Sequence, residues 1–157
     1  MATILYLHGL YSRPGGLKPT FLKNAGHTVL NPHLPDDDFA ESVRRAQRAF
    51  DDGHPDVVVG SSRGGAVALN IDARDVPVIL IAPAWKKWGG AATVPARAVI
   101  LHSEGDQVIP IAHSRELLAN SGVSPQALRV VGIDHNMIDP EAFAALDNAV
   151  REAVADI

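Results

Sequence analysis

Short apolar runs alternate with amphipathic stretches along this sequence, and the alternation leaves few architectures open. Runs at 3–8, 27–30, 56–60, 76–82, 97–102 and 127–131 read as strands, with helix-like segments between most of them. Strand–helix–strand order is the signature of parallel pairing, since a parallel neighbour needs a long crossover that a helix supplies. Residues 76–81 (Val-Pro-Val-Ile-Leu-Ile) and 98–101 (Ala-Val-Ile-Leu) are almost unbroken apolar runs, as expected for strands covered on both faces. The expected class is α/β.

The helices are legible from their ends as well as their periodicity. Residues 18–25 have Pro19 in a first turn and Gly26 as a stop. Residues 37–51 bring Phe39, Val43, Ala46 and Phe50 to one face. Residues 63–71 and 111–120 are further helices, the second running from Ile111 through Leu117 and Leu118 to Gly122. The last opens on Asp139-Pro140-Glu141, a capping aspartate before a proline at the first helical position, and carries Phe143, Leu146, Val150 and Val154 on one stripe. These stripes read as core. Residues 83–96 are irregular, a loop or short helix too small to be an inserted domain.

Composition closes off several function classes. At 157 residues, with 46% hydrophobic and 20% charged residues, the chain is expected to form a single domain over 1–157. A formal charge of −4 provides no electrostatic footprint for nucleic acid or an anionic membrane. The absence of cysteine excludes disulfides, thiol catalysis and thiolate metal sites. Met1 leads almost directly into a strand and no apolar stretch is long enough to span a bilayer, so a cytoplasmic protein is expected.

The chemistry is concentrated at residues 56–65, Asp-Val-Val-Val-Gly-Ser-Ser-Arg-Gly-Gly. A β-branched run enters a Gly-x-Ser-x-Gly turn at Gly60, Ser62 and Gly64, and the small-residue segment that leaves it reads as a helix. A strand turning sharply into a helix strains the central residue and leaves no room for a neighbouring Cβ. The Ser62 hydroxyl is then held at the tip of the turn, over a helix N-terminus that favours negative charge.

A serine hydroxyl needs a base, an orienter for that base, and donors for an oxyanion. His135, between the last strand and the last helix, is the candidate base. His27, His33, His54 and His113 fall in turns or on helical surface, and His102 ends a strand as a structural residue. Asp106, after a strand end and a glycine turn, is the candidate orienting acid; Glu104 and Asp134 are weaker rivals, and turn capping is the alternative role for Asp106. One oxyanion donor would be the Arg63 amide, and the other the Leu10 amide in the loop His8-Gly9-Leu10-Tyr11, with His8 as a brace. Tyr11, Trp85 and Trp88 are candidate substrate contacts, with ordinary loop packing the alternative for the tryptophans. Lys86 and Lys87 read as a solvated pair. The Arg63 side chain opposes the helix dipole for no evident reason. Phosphate-cradling glycine loops and metal-binding histidine spacings are absent, so no cofactor and no metal are expected.

Leu7-His8-Gly9, Gly60-Ser61-Ser62-Arg63-Gly64-Gly65, the stretch 102–110 (His-Ser-Glu-Gly-Asp-Gln-Val-Ile-Pro) and Asp134-His135 occur in the order of the α/β-hydrolases. The chain resembles their small, single-domain, esterase-like bacterial members over nearly its whole length. The resemblance implies a three-layer α/β/α sandwich on a mostly parallel sheet of about six strands, the first matching the family's third. It also implies a Ser62–His135–Asp106 triad. Where many members insert a cap, this sequence has only the loop at 85–90, which predicts an open site for a small-molecule acyl substrate: a small ester, a thioester, or an exposed group on a larger partner. The expected activity is that of a carboxylesterase-like serine hydrolase. Alternatives are an acyltransferase or peptidase of the same superfamily, or a non-catalytic binding module, which a His135 out of reach of Ser62 would favour.

Overall fold

The computed structural model describes residues 1–155. In chain order its elements are β1 (Thr3–Leu7), α1 (Leu17–Asn24), β2 (Thr28–Leu30), α2 (Phe39–Gly53), β3 (Val57–Ser61), α3 (Arg63–Asn70), β4 (Val78–Ile81), β5 (Val99–His102), α4 (Ile111–Ser121), a 3-10 turn at Pro125–Ala127, β6 (Leu128–Val130) and α5 (Pro140–Ala155). The strands form one sheet in the order β2-β1-β3-β4-β5-β6. Every adjacent pair is parallel.

Alternation along the strands builds the three layers. Leu5, Leu7, Val58, Val78, Leu80 and Ile100 point to one face, where they pack with Phe50 of α2, Val67 of α3 and Leu117 of α4. Ile4, Tyr6, Val57, Val59, Ile79, Ile81 and Leu101 point to the other, against Leu22 of α1 and Leu146 and Val150 of α5. Both faces are therefore covered, which is why the central strands read as unbroken apolar runs. Among the described residues no helix is long and apolar enough to cross a membrane.

The expected elements are all present, with ends shifted by a few residues. Helix α2 starts at Phe39 rather than 37 because the Asp38 carboxylate accepts the Glu41 N–H at 3.0 Å and caps it. It runs on to Gly53, where His54 turns left-handed (φ 47°) and its N–H closes on the Phe50 carbonyl. Residues 83–96 form turns and no helix.

What this frame does for the site is bring the C-terminal ends of β1 and β3 side by side, with Leu7 in register with Gly60. Helix α3 starts hard against that junction. A Cβ on Gly60 would lie 2.5 Å from the Gly64 carbonyl oxygen, and one on Gly64 would overlap the Leu7 carbonyl. Gly64→Ala is accordingly expected to lower the unfolding free energy by about 3 kcal/mol, read as a shift of the urea midpoint, because backbone on both sides of the clash is fixed, Leu7 in β1 and Gly64 in the first turn of α3.

Candidate active site

Four loops at the carboxyl edge of the sheet converge on one cleft of about 430 Å³. They follow β1, β3, β4 and β6, and the loop after β5 adds Val108 and Ile109 to the lining as a fifth.

Ser62 stands between β3 and α3 with φ 54° and ψ −114°, a region that L-residues rarely occupy. Its backbone is tied on both sides. The Ser62 N–H donates to the Ile81 carbonyl at 2.8 Å, and its carbonyl accepts from Gly65, Ala66 and Ala84. The strain of this conformation, of order 1–3 kcal/mol, is thus held by the surrounding sheet and helix. Ser61 is the last residue of β3, buried, and makes no hydrogen bond to His135.

His135 comes from the loop between β6 and α5, and its Nε2 lies 3.0 Å from Ser62 Oγ. Its Nδ1 is 2.7 Å from Asp106 Oδ2. A carboxylate only accepts, so Nδ1 carries the proton, and Nε2 is left to accept from the serine hydroxyl. The loops bearing the acid and the base are joined by Ser103, whose Oγ donates to the Gly132 carbonyl at 2.9 Å.

Asp106 has a fully buried side chain and no unsatisfied oxygen. Oδ1 accepts the Val108 and Ile109 N–H groups, each at 2.8 Å. Oδ2 accepts from His135 and, at 3.1 Å, from His102 Nε2. Burial by itself would raise the Asp106 pKa. The Ile109 and Val108 N–H groups and His135 outweigh it and hold the carboxyl below the ordinary aspartate range.

His102 was legible only as a strand end, and the structure makes it a support of the acid. Its Nε2 faces two acceptors, Asp106 Oδ2 and the Ile109 carbonyl at 2.9 Å, and must carry the proton. Nδ1 then accepts from Ser114 Oγ at 2.7 Å. Burial pulls the His102 pKa down despite the neighbouring carboxylate, which favours this neutral form. The signal available in the sequence was the four-residue spacing from His102 to Asp106. Nothing there pointed to Ser103 or Ser114. The rivals lie elsewhere: Glu104 is exposed and faces Arg115 at 3.9 Å, and Asp134 accepts the Asn136 N–H at 3.0 Å.

The loop after β1 runs tightly against the serine. A Cβ on Gly9 would sit 3.4 Å from Ser62 Cβ. His8 clamps this loop: its Nε2 accepts the Leu34 N–H at 2.9 Å, so Nδ1 is protonated and donates to the Gly9 carbonyl at 3.0 Å. Among the described residues, the Leu10 and Arg63 amide N–H groups have no hydrogen-bond partner.

The candidate substrate contacts divide. Tyr11, which is 83% exposed, and Trp88 line the cleft. Trp85 does not. It is buried in the core, and its indole N–H donates to the His113 carbonyl at 2.9 Å, which anchors the loop after β4 to α4. The expectation of Trp85 as a cleft wall is therefore corrected, since the fold turns its ring toward α4. The lysine pair splits too: Lys86 pairs with Glu116 at 2.7 Å, whereas Lys87 lines the cleft.

Arg63 now has an explanation. Its guanidinium lies between the rings of Phe39 and Trp88, 5.5 and 5.6 Å from their centroids. It donates to Ser42 Oγ at 3.2 Å and to the Pro35 carbonyl at 2.9 Å. The side chain thus fastens the serine turn to the start of α2 rather than facing the dipole. Among the described residues it forms no ion pair at contact distance, although Asp36, Asp37 and Asp38 act on it through space, and Ser42 keeps bonds of its own to the Pro35 and Asp38 carbonyls. Arg63→Met, which fills the space and breaks no contact ion pair among the described residues, is expected to leave stability within about 1 kcal/mol of the native chain. Arg63→Ala, which empties it, is expected to cost about 3 kcal/mol by chemical denaturation.

No family model and no curated protein matches this sequence. Solved structures do match its fold. A protein of Agrobacterium vitis S4 assigned as a hydrolase superimposes with a TM-score of 0.78 at 18% identity, over 97% of this chain and 87% of its own. A protein of Xanthomonas campestris pv. campestris assigned to the alpha/beta superfamily of hydrolases gives 0.75 at 22% identity, over 99% and 98%. Alpha/beta hydrolase domain-containing protein 10 from mouse gives 0.74 at 18% identity, over 98% and 90%.

Proposed function

With an α/β-hydrolase fold as its frame, we propose that this chain is a serine hydrolase that cleaves a small carboxylic ester or related acyl bond. The observation that carries the reading is the unbroken hydrogen-bonded line Ser62 Oγ–His135 Nε2 at 3.0 Å and His135 Nδ1–Asp106 Oδ2 at 2.7 Å. Ser62 Oγ attacks the acyl carbon while His135 Nε2 takes its proton. Negative charge gathers on the carbonyl oxygen, where the free Leu10 and Arg63 N–H groups would receive it. The bond to the leaving group then breaks, and His135 returns the proton to that leaving atom. Water, deprotonated by His135 in its turn, releases the acid and restores Ser62. Asp106 stays ionised throughout, accepts the His135 Nδ1–H hydrogen bond, holds the ring in one tautomer and balances the imidazolium.

Hydrogen-bond contact between Ser62 and His135 weighs against a binding module that has lost its chemistry. The open cleft, bordered by the turns at 85–90 and without a covering element among the described residues, supports small or exposed acyl groups over long buried chains. A fluorophosphonate probe is expected to label Ser62, and p-nitrophenyl acetate is expected to be turned over by the native chain and not by Ser62→Ala. An unlabelled serine with equal turnover in both proteins overturns the assignment.

A further inference from the structure

The chain as a whole is acidic, with 18 Asp and Glu against 14 Lys and Arg, yet its cleft is not. Arg13, Lys18 and Lys87 line it, and among the described residues no aspartate or glutamate does. Asp106 lies behind His135, buried and already saturated with donors. Lys87 and Arg13 sit in the exposed loops after β4 and β1, one on each side of Ser62.

Lys18 is the most informative of the three. It occupies the first turn of α1, where a cation works against the helix dipole, so helix stability does not call for it. It is half-buried, and its ammonium donates to the Asn136 carbonyl, one residue beyond His135. Burial lowers its pKa to about 8, with the nearby Asp134 acting in the opposite direction. Asp134 is exposed and outside the cleft. One N–H of the ammonium is used by Asn136, and the others have no hydrogen-bond partner among the described residues, with Asp134 acting on the charge only through space.

The direction of the chemistry says which part of a substrate meets this charge. His135 hands its proton to the leaving atom, so the leaving group lies on the imidazole side, and what extends from it passes Asn136 and Lys18. We propose that the cleft selects esters and thioesters whose alcohol or thiol part carries a carboxylate or phosphate, with Lys18 as the residue that sets this preference. The proposal rests on the serine-hydrolase reading above. An anion there would regain for Lys18 the solvation it loses in the cleft, in a position screened less than a surface charge.

The test compares 4-acetoxybenzoate with 4-acetoxybenzamide, which share acyl group and shape and differ in one charge, and adds 4-acetoxyphenyl phosphate to separate carboxylate from phosphate recognition. Native protein is expected to favour one or both anionic esters in kcat/KM by about tenfold, carried mainly by KM. The ratio is expected to fall toward one in Lys18→Gln and at high salt. Lys86→Gln removes an equal charge outside the cleft and is expected to keep the native ratio. Turnover of all three esters at equal kcat/KM overturns this proposal and leaves the hydrolase reading standing. A preference that survives in Lys18→Gln, with the variant shown to be folded by circular dichroism, overturns the role of Lys18. No turnover of any ester, together with an unlabelled Ser62, overturns the hydrolase reading and this proposal with it.

Discussion

Ser62→Ala is expected to lower the turnover of an activated ester by about 10⁶-fold, with the variant as folded as the native protein. Only the hydroxyl is lost, and the backbone bonds that hold the turn belong to the main chain of Ser62, Ile81, Gly65 and Ala84. Residual activity would come from the Leu10 and Arg63 N–H groups and from substrate binding. A companion variant separates strain from chemistry. Glycine relaxes at φ 54°, ψ −114° where serine does not, so Ser62→Gly is expected to gain about 1 kcal/mol in unfolding free energy while remaining as inactive as the alanine variant. A turnover in either variant within tenfold of native would show that the nucleophile lies elsewhere.

Asp106→Asn is expected to lower turnover by about 10⁴-fold and, unlike the serine variants, to destabilise the fold. The Val108 and Ile109 N–H groups demand an acceptor at Oδ1, so the asparagine amide would turn its NH₂ toward His135 and His102. His135 would then have to accept at Nδ1, which places its proton on Nε2 and leaves it unable to take one from Ser62. His102 would lose one of the two acceptors of its Nε2 proton and face the asparagine NH₂ instead, or change tautomer and give up its bond to the Ile109 carbonyl. A cost of about 2 kcal/mol in urea unfolding follows.

The pH dependence of that cost has a definite sign. Because the folded Asp106 pKa lies below the ordinary carboxylate value, its contribution to stability is complete above the unfolded pKa of roughly 4 and is lost as pH falls through the folded value. The stability gap between native protein and Asp106→Asn is therefore expected to be constant near neutrality and to close in that acid window. A gap unchanged down to pH 2 would mean that the carboxylate is not held in its charged form by these donors.

The sequence carried the frame because the forces that build it are local and periodic. Continuous runs such as Val78–Ile81 announce strands buried on both faces, and the stripe of Leu146 and Val150 announces a helix laid on a sheet. Gly60 and Gly64 are legible as well, because backbone packed that closely tolerates no side chain. The order of Ser62, Asp106 and His135 after the ends of β3, β5 and β6 suggested one site, since parallel strands gather their carboxyl ends at one edge.

Contacts between distant segments were not legible. Nothing local to Trp85 says that its indole will reach His113 across the face of the sheet, while Trp88, three residues on, stays in the cleft. Nothing local to Arg63 says that Phe39, Ser42 and Pro35 will receive it. His102 is a nearer case: its spacing to Asp106 was visible, but the turn into α4 that brings Asp106, Ile109 and Ser114 around its ring was not.

By itself, then, the sequence determined the parallel α/β frame and the serine turn, which follow from periodicity and backbone sterics, and named His135 and Asp106 as candidates from their places after strand ends. Only the tertiary structure decided the tautomers, the second histidine behind Asp106, the removal of Trp85 from the cleft and the cationic lining around Lys18. Those depend on which side chains approach within about 3 Å of one another, at hydrogen-bonding range, and that distance exists only once the chain is packed.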